Sequence, residues 1–176
     1  ASDLKIPLGV KRFQLSQYRE VFREDFTRKI ASIEDRYGKL RYETTVDGAQ
    51  ASANDGIVRL HGNHNEGDQR LFITARQLIG KDQFTSPFVV VAEIGGEALG
   101  SGTYHVGISV GNLRILFHPG YHQGGFRIER VDNHSSMIKN QSMPFTPASG
   151  VLHKIRVSIT PRKDRSVLLK ATVING

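Results

Sequence analysis

The sequence predicts an all-β fold, an antiparallel β-sandwich or jelly roll with at most a short helix. Three observations carry that expectation. First, Leu152, Ile155, Val157 and Ile159 interleave with Lys154, Arg156, Ser158 and Thr160. After the polar turn Pro161 to Ser166, Val167, Leu169, Ala171 and Val173 alternate again. Period two on both arms means two half-buried strands of one hairpin. Second, short strand-like runs separated by turn dipeptides recur along the chain. Third, the 176 residues include 18 glycines, which suits many tight turns.

Taken in order, residues 1–20 read as a linker or first edge strand, broken by Pro7 and Gly9. Residues 21–176 read as one sandwich domain. Ile30 to Gly38 is the best helical candidate. Leu40 to Val46 is an expected strand, ended by Asp47-Gly48. Asn54-Asp55-Gly56 is a second turn signal, leading into Ile57 to His61. Residues 62–70 form a polar loop, and Leu71 to Ala75 a strand. Phe88 to Ile94 is nearly continuous in apolar and β-branched residues, the pattern of a central strand buried on both faces. Tyr104 to Val110 alternates, Gly111-Asn112 turns the chain, and Leu113, Ile115 and Phe117 follow. Phe126 and Ile128 head another strand. Residues 132–150, with Pro144 and Pro147, read as a long irregular connection.

Composition narrows the function classes. There is no cysteine, which excludes disulfides, thiolate metal sites and Cys nucleophiles. No apolar run approaches the roughly 20 residues that cross a bilayer as a helix. The net charge of +7 favours acidic partners, but the basic residues alternate with apolar ones as on a solvated sheet face. Nucleic acid is therefore not the expected partner.

Three segments resemble the concanavalin A-like lectin/glucanase superfamily in its laminin-G-like form. They are Phe22-Arg23-Glu24-Asp25-Phe26 with Ala53 to Leu60, Leu71 to Thr74 with Phe88 to Ile94, and Leu152 to Val157 with Val173 to Gly176. The closest likeness is to bacterial domains of unknown function, of the kind abundant in planctomycete proteins. The resemblance covers about residues 21–176 and implies a concanavalin A-like sandwich, often extracellular or periplasmic. It implies a lectin-like module or an accessory domain of a larger parent protein. Members of the superfamily often carry a structural Ca²⁺ near the sandwich edge, for which Asp25, Asp47 and Asp68 are the weak candidate ligands here; the polar loop lacks EF-hand spacing, and a solvated acidic loop is the expected reading. Glu24 and the oxygen-rich loop Asn63, Asn65 and Glu66 lie near them in sequence. Beyond that ion no cofactor is expected. Glucanases of this superfamily resemble one another in a Glu-x-Asp-x-Glu strand. The nearest match here is Glu93-Ile94-Gly95-Gly96-Glu97, in which glycine replaces the middle carboxylate. The two glutamates share a face only if the strand runs through Gly95-Gly96. Hydrolysis is therefore not expected.

The densest set of ligand-type side chains is Tyr104, His105, His118, Tyr121, His122, Gln123 and Arg127. A sugar ring is amphipathic. An aromatic face meets its C–H side, and planar polar groups orient its hydroxyls. The expected partner is a glycan, of anionic type if the basic excess is used. The bland reading is a glycine-rich loop with solvated histidines. His118 and His122 with a third histidine, His105 or His134, offer nitrogen donors for Zn²⁺, but no carboxylate is interleaved and Pro119-Gly120 opposes a helix between them. No nucleophile elbow, dinucleotide or P-loop pattern occurs.

Overall fold

A computed structural model of the chain describes residues 18–62, 67–96, 106–111, 113–117, 126–130, 133–137, 148, 150–164 and 166–174. The chain is all-β and antiparallel, with one helix of five residues among the described residues. By its contacts it divides into two compact units, Ala1–Thr85 and Ser86–Gly176.

In the first unit, β1 (Arg36–Tyr37), β2 (Leu40–Thr44), β3 (Gln50–Asn54), β4 (Ile57–His61) and β5 (Gln69–Phe72) precede α1 (Ala75–Ile79). One sheet has the order β1-β2-β5, and β3 pairs with β4 as a hairpin. Asp55 and Gly56 both take positive φ, 55° and 75°, in the two-residue turn between Asn54 and Ile57. This is the type I′ geometry whose twist suits a hairpin, and Asp-Gly is one of the pairs that reach it cheaply. The core joins Ile33, Tyr37 and Tyr42 to Ala51 and Ala53, with Phe26, Ile30, Val58 and Leu71 around them. The two buried tyrosines keep their hydroxyls satisfied. Tyr37 donates to the Arg28 carbonyl at 2.8 Å and Tyr42 to Gln69 Oε1 at 3.0 Å.

The helix expected over Ile30 to Gly38 does not form. The Ile30 N–H donates to the Ala53 carbonyl at 2.9 Å, Ala53 returns the bond at 2.8 Å, and the Ile33 N–H reaches the Ala51 carbonyl at 2.6 Å. The segment zips onto β3, which offers only small side chains there, and then becomes β1. The strand expected at Leu71 to Ala75 is also shifted. β5 ends at Phe72, and Thr74 starts α1 with a capping box. Its hydroxyl accepts from the Gln77 N–H, and the Gln77 side chain accepts from the Thr74 N–H.

The second unit holds β6 (Phe88–Ile94), β7 (Val106–Val110), β8 (Leu113–Phe117), β9 (Phe126–Arg130), β10 (Asn133–Met137), β11 (His153–Pro161) and β12 (Val167–Ile174). They form two antiparallel sheets, β10-β9-β8-β7 and β12-β11-β6. Ile115 of one sheet and Ile155, Val157 and Ile159 of the other are buried in one cluster. Ile108, Val110 and Ile128 join it from the first sheet, and Phe88, Ile94, Leu169 and Ala171 from the second. Two sheets thus close face to face over one apolar layer, as period two dictates. The alternation expected in the final hairpin is present along β11, with the exception of Leu152, which lies before the strand and is exposed.

β6 departs from expectation. It pairs with β11 alone among the described residues, and Val91 is 51% exposed. The apolar run here is a half-buried face of Phe88, Val90, Ala92 and Ile94 with Val91 and Glu93 exposed on the other, and not a strand covered on both sides. The connection expected over 132–150 contains β10, whose Asn-His-Ser-Ser-Met carries no apolar alternation.

Candidate functional site

The site expected from sequence must be judged through the strands that flank it. Val106 of β7 pairs with Phe117 of β8, and Phe117 pairs with Phe126 of β9. Three strand ends therefore lie side by side at one end of the four-stranded sheet. Tyr104 and His105 directly precede Val106 in the chain, and His118, Tyr121, His122 and Gln123 lie between Phe117 and Phe126. These six residues are outside the described residues. Arg127 is the β9 position paired with Leu116, and its side chain is likewise outside them. His134 falls in β10, again without a described side chain.

The carboxylates fare differently. Glu93 is the penultimate residue of β6, and Gly95-Gly96 lie beyond the end of that strand. Glu97 is outside the described residues. The strand extension that a shared carboxylate face requires is absent. The glycines have another cause. A Cβ at Gly95 would collide with the Val151 carbonyl, and the Gly96 carbonyl accepts from the Gly150 N–H at 2.8 Å. At Gly95 the backbone crosses too closely for a side chain.

Among the described residues no three histidine, aspartate or glutamate side chains converge as a metal site would need. Asp25 is held by Arg23, whose Nε meets both carboxylate oxygens at 3.0 Å. Glu24 Oε1 accepts from the Phe26 N–H at 3.1 Å. The Asp68 backbone exchanges bonds with Thr45, its carbonyl accepting from the Thr45 N–H and its N–H donating to Thr45 Oγ1, each at 2.9 Å. Asp25, Asp47 and Asp68 belong to no such group among the described residues, and Asn63, Asn65 and Glu66 lie outside them. A shallow open cleft of about 380 Å³ separates the Glu20 to Glu24 segment from Gly38 and Lys39. Glu20, Arg23 and Lys39 along it are exposed and Glu24 is half-buried, so it offers a ligand little desolvation.

One cluster escaped sequence reasoning. On the outer face of β1-β2-β5, Arg36 pairs directly with Arg41, and Arg41 with Phe72. One register step on, Glu43 pairs with Arg70. The guanidinium carbons of Arg41 and Arg70 lie 5.6 and 4.9 Å from the Phe72 ring centroid. Arg70 reaches Glu43 Oε2 through both Nε at 3.2 Å and Nη2 at 2.6 Å. Arg41 stands 3.7 Å from Glu43 Oε1, an ion pair beyond hydrogen-bond reach. The signal was available as Arg36, Arg41 and Arg70, but only the strand register shows that they share a face.

No family model matches the chain, and no curated protein or solved structure matches it.

Proposed function

We propose that this chain is a non-catalytic, carbohydrate-directed binding module on a concanavalin A-like jelly-roll sandwich. It works outside the cytoplasm as part of a larger protein, and an anionic glycan is its preferred ligand class. The observation that supports this reading is the register Val106–Phe117–Phe126. Three adjacent strand ends serve the chain segments that carry Tyr104, His105, His118, Tyr121, His122 and Gln123. Binding residues on connections at one end of a rigid sandwich are a common way for such folds to recognise ligands. The +7 charge supports the anionic preference.

The test is a glycan array that includes sulfated and uronate glycans, read at two salt concentrations with and without chelator. A defined hit that survives salt and is lost in Tyr121→Ala, with folding unchanged by circular dichroism, supports the reading. Chelator sensitivity adds a metal to the site. Binding only to polyanions, lost at high salt, reduces it to net charge. A blank array overturns it in favour of an accessory domain without a small ligand.

A further inference from the structure

We propose that the outer face of β1-β2-β5 binds a tetrahedral oxyanion, phosphate or sulfate, between Arg36 and Arg41 with Arg70 beside them. This proposal stands without the carbohydrate reading. The arrangement of this face carries a cost. Arg36 and Arg41 are directly opposed on adjacent antiparallel strands. Like charges so placed destabilise a sheet, because directly paired residues lie about 4.5–5.5 Å apart at Cα. Three guanidinium groups on this face meet one carboxylate, Glu43. Arg70 takes the short contacts to that carboxylate, while Arg41 stays at 3.7 Å. Arg36 is exposed and has no carboxylate partner among the described residues. The face therefore keeps an excess of positive charge at the Arg36–Arg41 pair.

The face also supplies order. A free arginine side chain loses much rotamer freedom on binding. Here the Arg41 and Arg70 guanidinium carbons lie 5.6 and 4.9 Å from the centre of the Phe72 ring, and Glu43 pairs with Arg70 in addition. Stacking leaves the N–H edges of a guanidinium open, and those edges match oxyanions in bidentate fashion. A tetrahedral anion between Arg36 and Arg41 would turn the repulsion of the pair into attraction for a shared ligand. A nucleic acid fits less well. It would stack bases on an open aromatic ring, and Phe72, the ring on this face among the described residues, already has two guanidinium groups over it.

The experiment is an NMR titration of the ¹⁵N-labelled chain, reading the Nε–Hε signals of Arg36, Arg41 and Arg70. The probes are inorganic phosphate, inorganic sulfate, glucose 6-phosphate and unsubstituted glucose, each against sodium chloride at matched ionic strength. Saturable shifts at these arginines, with affinity on the order of 1 mM, are expected for the three anions and not for glucose. Tighter binding of glucose 6-phosphate than of the free ions identifies an ester group as the source. Equal binding identifies the free ion. Arg41→Gln is expected to weaken binding by ~10-fold or more. Phe72→Leu keeps every charge and is expected to weaken it several-fold, which a diffuse surface potential would not produce. Arg162→Gln, in the β11–β12 turn of the second unit, serves as the charge control. Shifts no larger than those in chloride, or an equal loss in Arg162→Gln and Arg41→Gln, overturn the proposal. Tighter, salt-sensitive binding of an oligonucleotide at the same signals overturns the assignment to a simple oxyanion.

Discussion

Gly95 lies against the carbonyl of Val151 with no room for a side chain between them. The contact joins the end of β6 to the residues that lead into β11, two strands already paired from Ile94–His153 onward. Adding one methyl here presses on backbone, which cannot rotate away. Gly95→Ala is expected to cost about 1–3 kcal/mol, read as a lowered urea midpoint. An unchanged midpoint would mean that the 150–151 backbone stands off in solution.

Ile155 is fully buried, whereas Val91, on the outward face of neighbouring β6, is 51% exposed. Ile155→Ala removes packing from the layer between the two sheets of the second unit and should cost about 2–5 kcal/mol. Val91→Ala should stay within about 0.5 kcal/mol of the parent. Thermal unfolding of the two variants side by side checks the ratio. Equal effects would contradict the inward and outward faces of this sheet.

The helix α1 has five residues and no buried side chain, so local bonds hold it. Thr74 and Gln77 satisfy each other's backbone N–H groups, and the Gly80 N–H closes the other end on the Arg76 carbonyl at 2.9 Å. Thr74→Ala is expected to cost roughly 1 kcal/mol of local stability. The measurement is amide exchange at residues 76–80, which should speed up while exchange in β11 does not change.

Asp164 sits in the β11–β12 loop, where Ser166 holds it from the side chain at 2.6 Å and from the backbone N–H at 2.9 Å. Those bonds keep its carboxyl below its ordinary value of 3.8. The folded loop favours the ionised form. Its contribution is therefore complete above the ordinary value and disappears as pH falls through the lowered one. Direct titration of the Asp164 carboxyl carbon should show the depression, and Ser166→Ala should raise the value. A value at or above the ordinary one in the parent would refute the loop geometry.

Much of the second unit was legible because its strands obey period two. Ile155, Val157 and Ile159 announce a buried face whatever they pack against. The first unit was less so. Ala51 and Ala53 lie in β3 without a strong apolar signal, since their smallness is what lets Ile30, Ile33 and Tyr37 pack close. Those three residues recur at intervals of three and four, which imitates a helix while the backbone is bonded to β3. Thr74 and Gln77 did carry a readable capping box, but the apolar run before them drew the reading towards a strand. At the candidate sites, residue types pointed to a region between strands, and the register Val106–Phe117–Phe126 supplied the adjacency that no local pattern encodes. The Arg36–Arg41 opposition was invisible for the same reason, being a property of pairing and not of spacing.

The position of β11 between β12 and β6 has a kinetic consequence. Its ladder with β12 closes over the five residues 162–166, between the paired Pro161 and Val167. Its ladder with β6 must close over residues 95–152, between the paired Ile94 and His153. Loop-closure entropy makes the second closure costlier by roughly 2 kcal/mol, before any contact rewards it. Isolated hairpins form in about 1–10 μs, and long-range pairings follow later. The C-terminal hairpin is thus the template of its sheet, and β6, although made earlier in the chain, must wait for it.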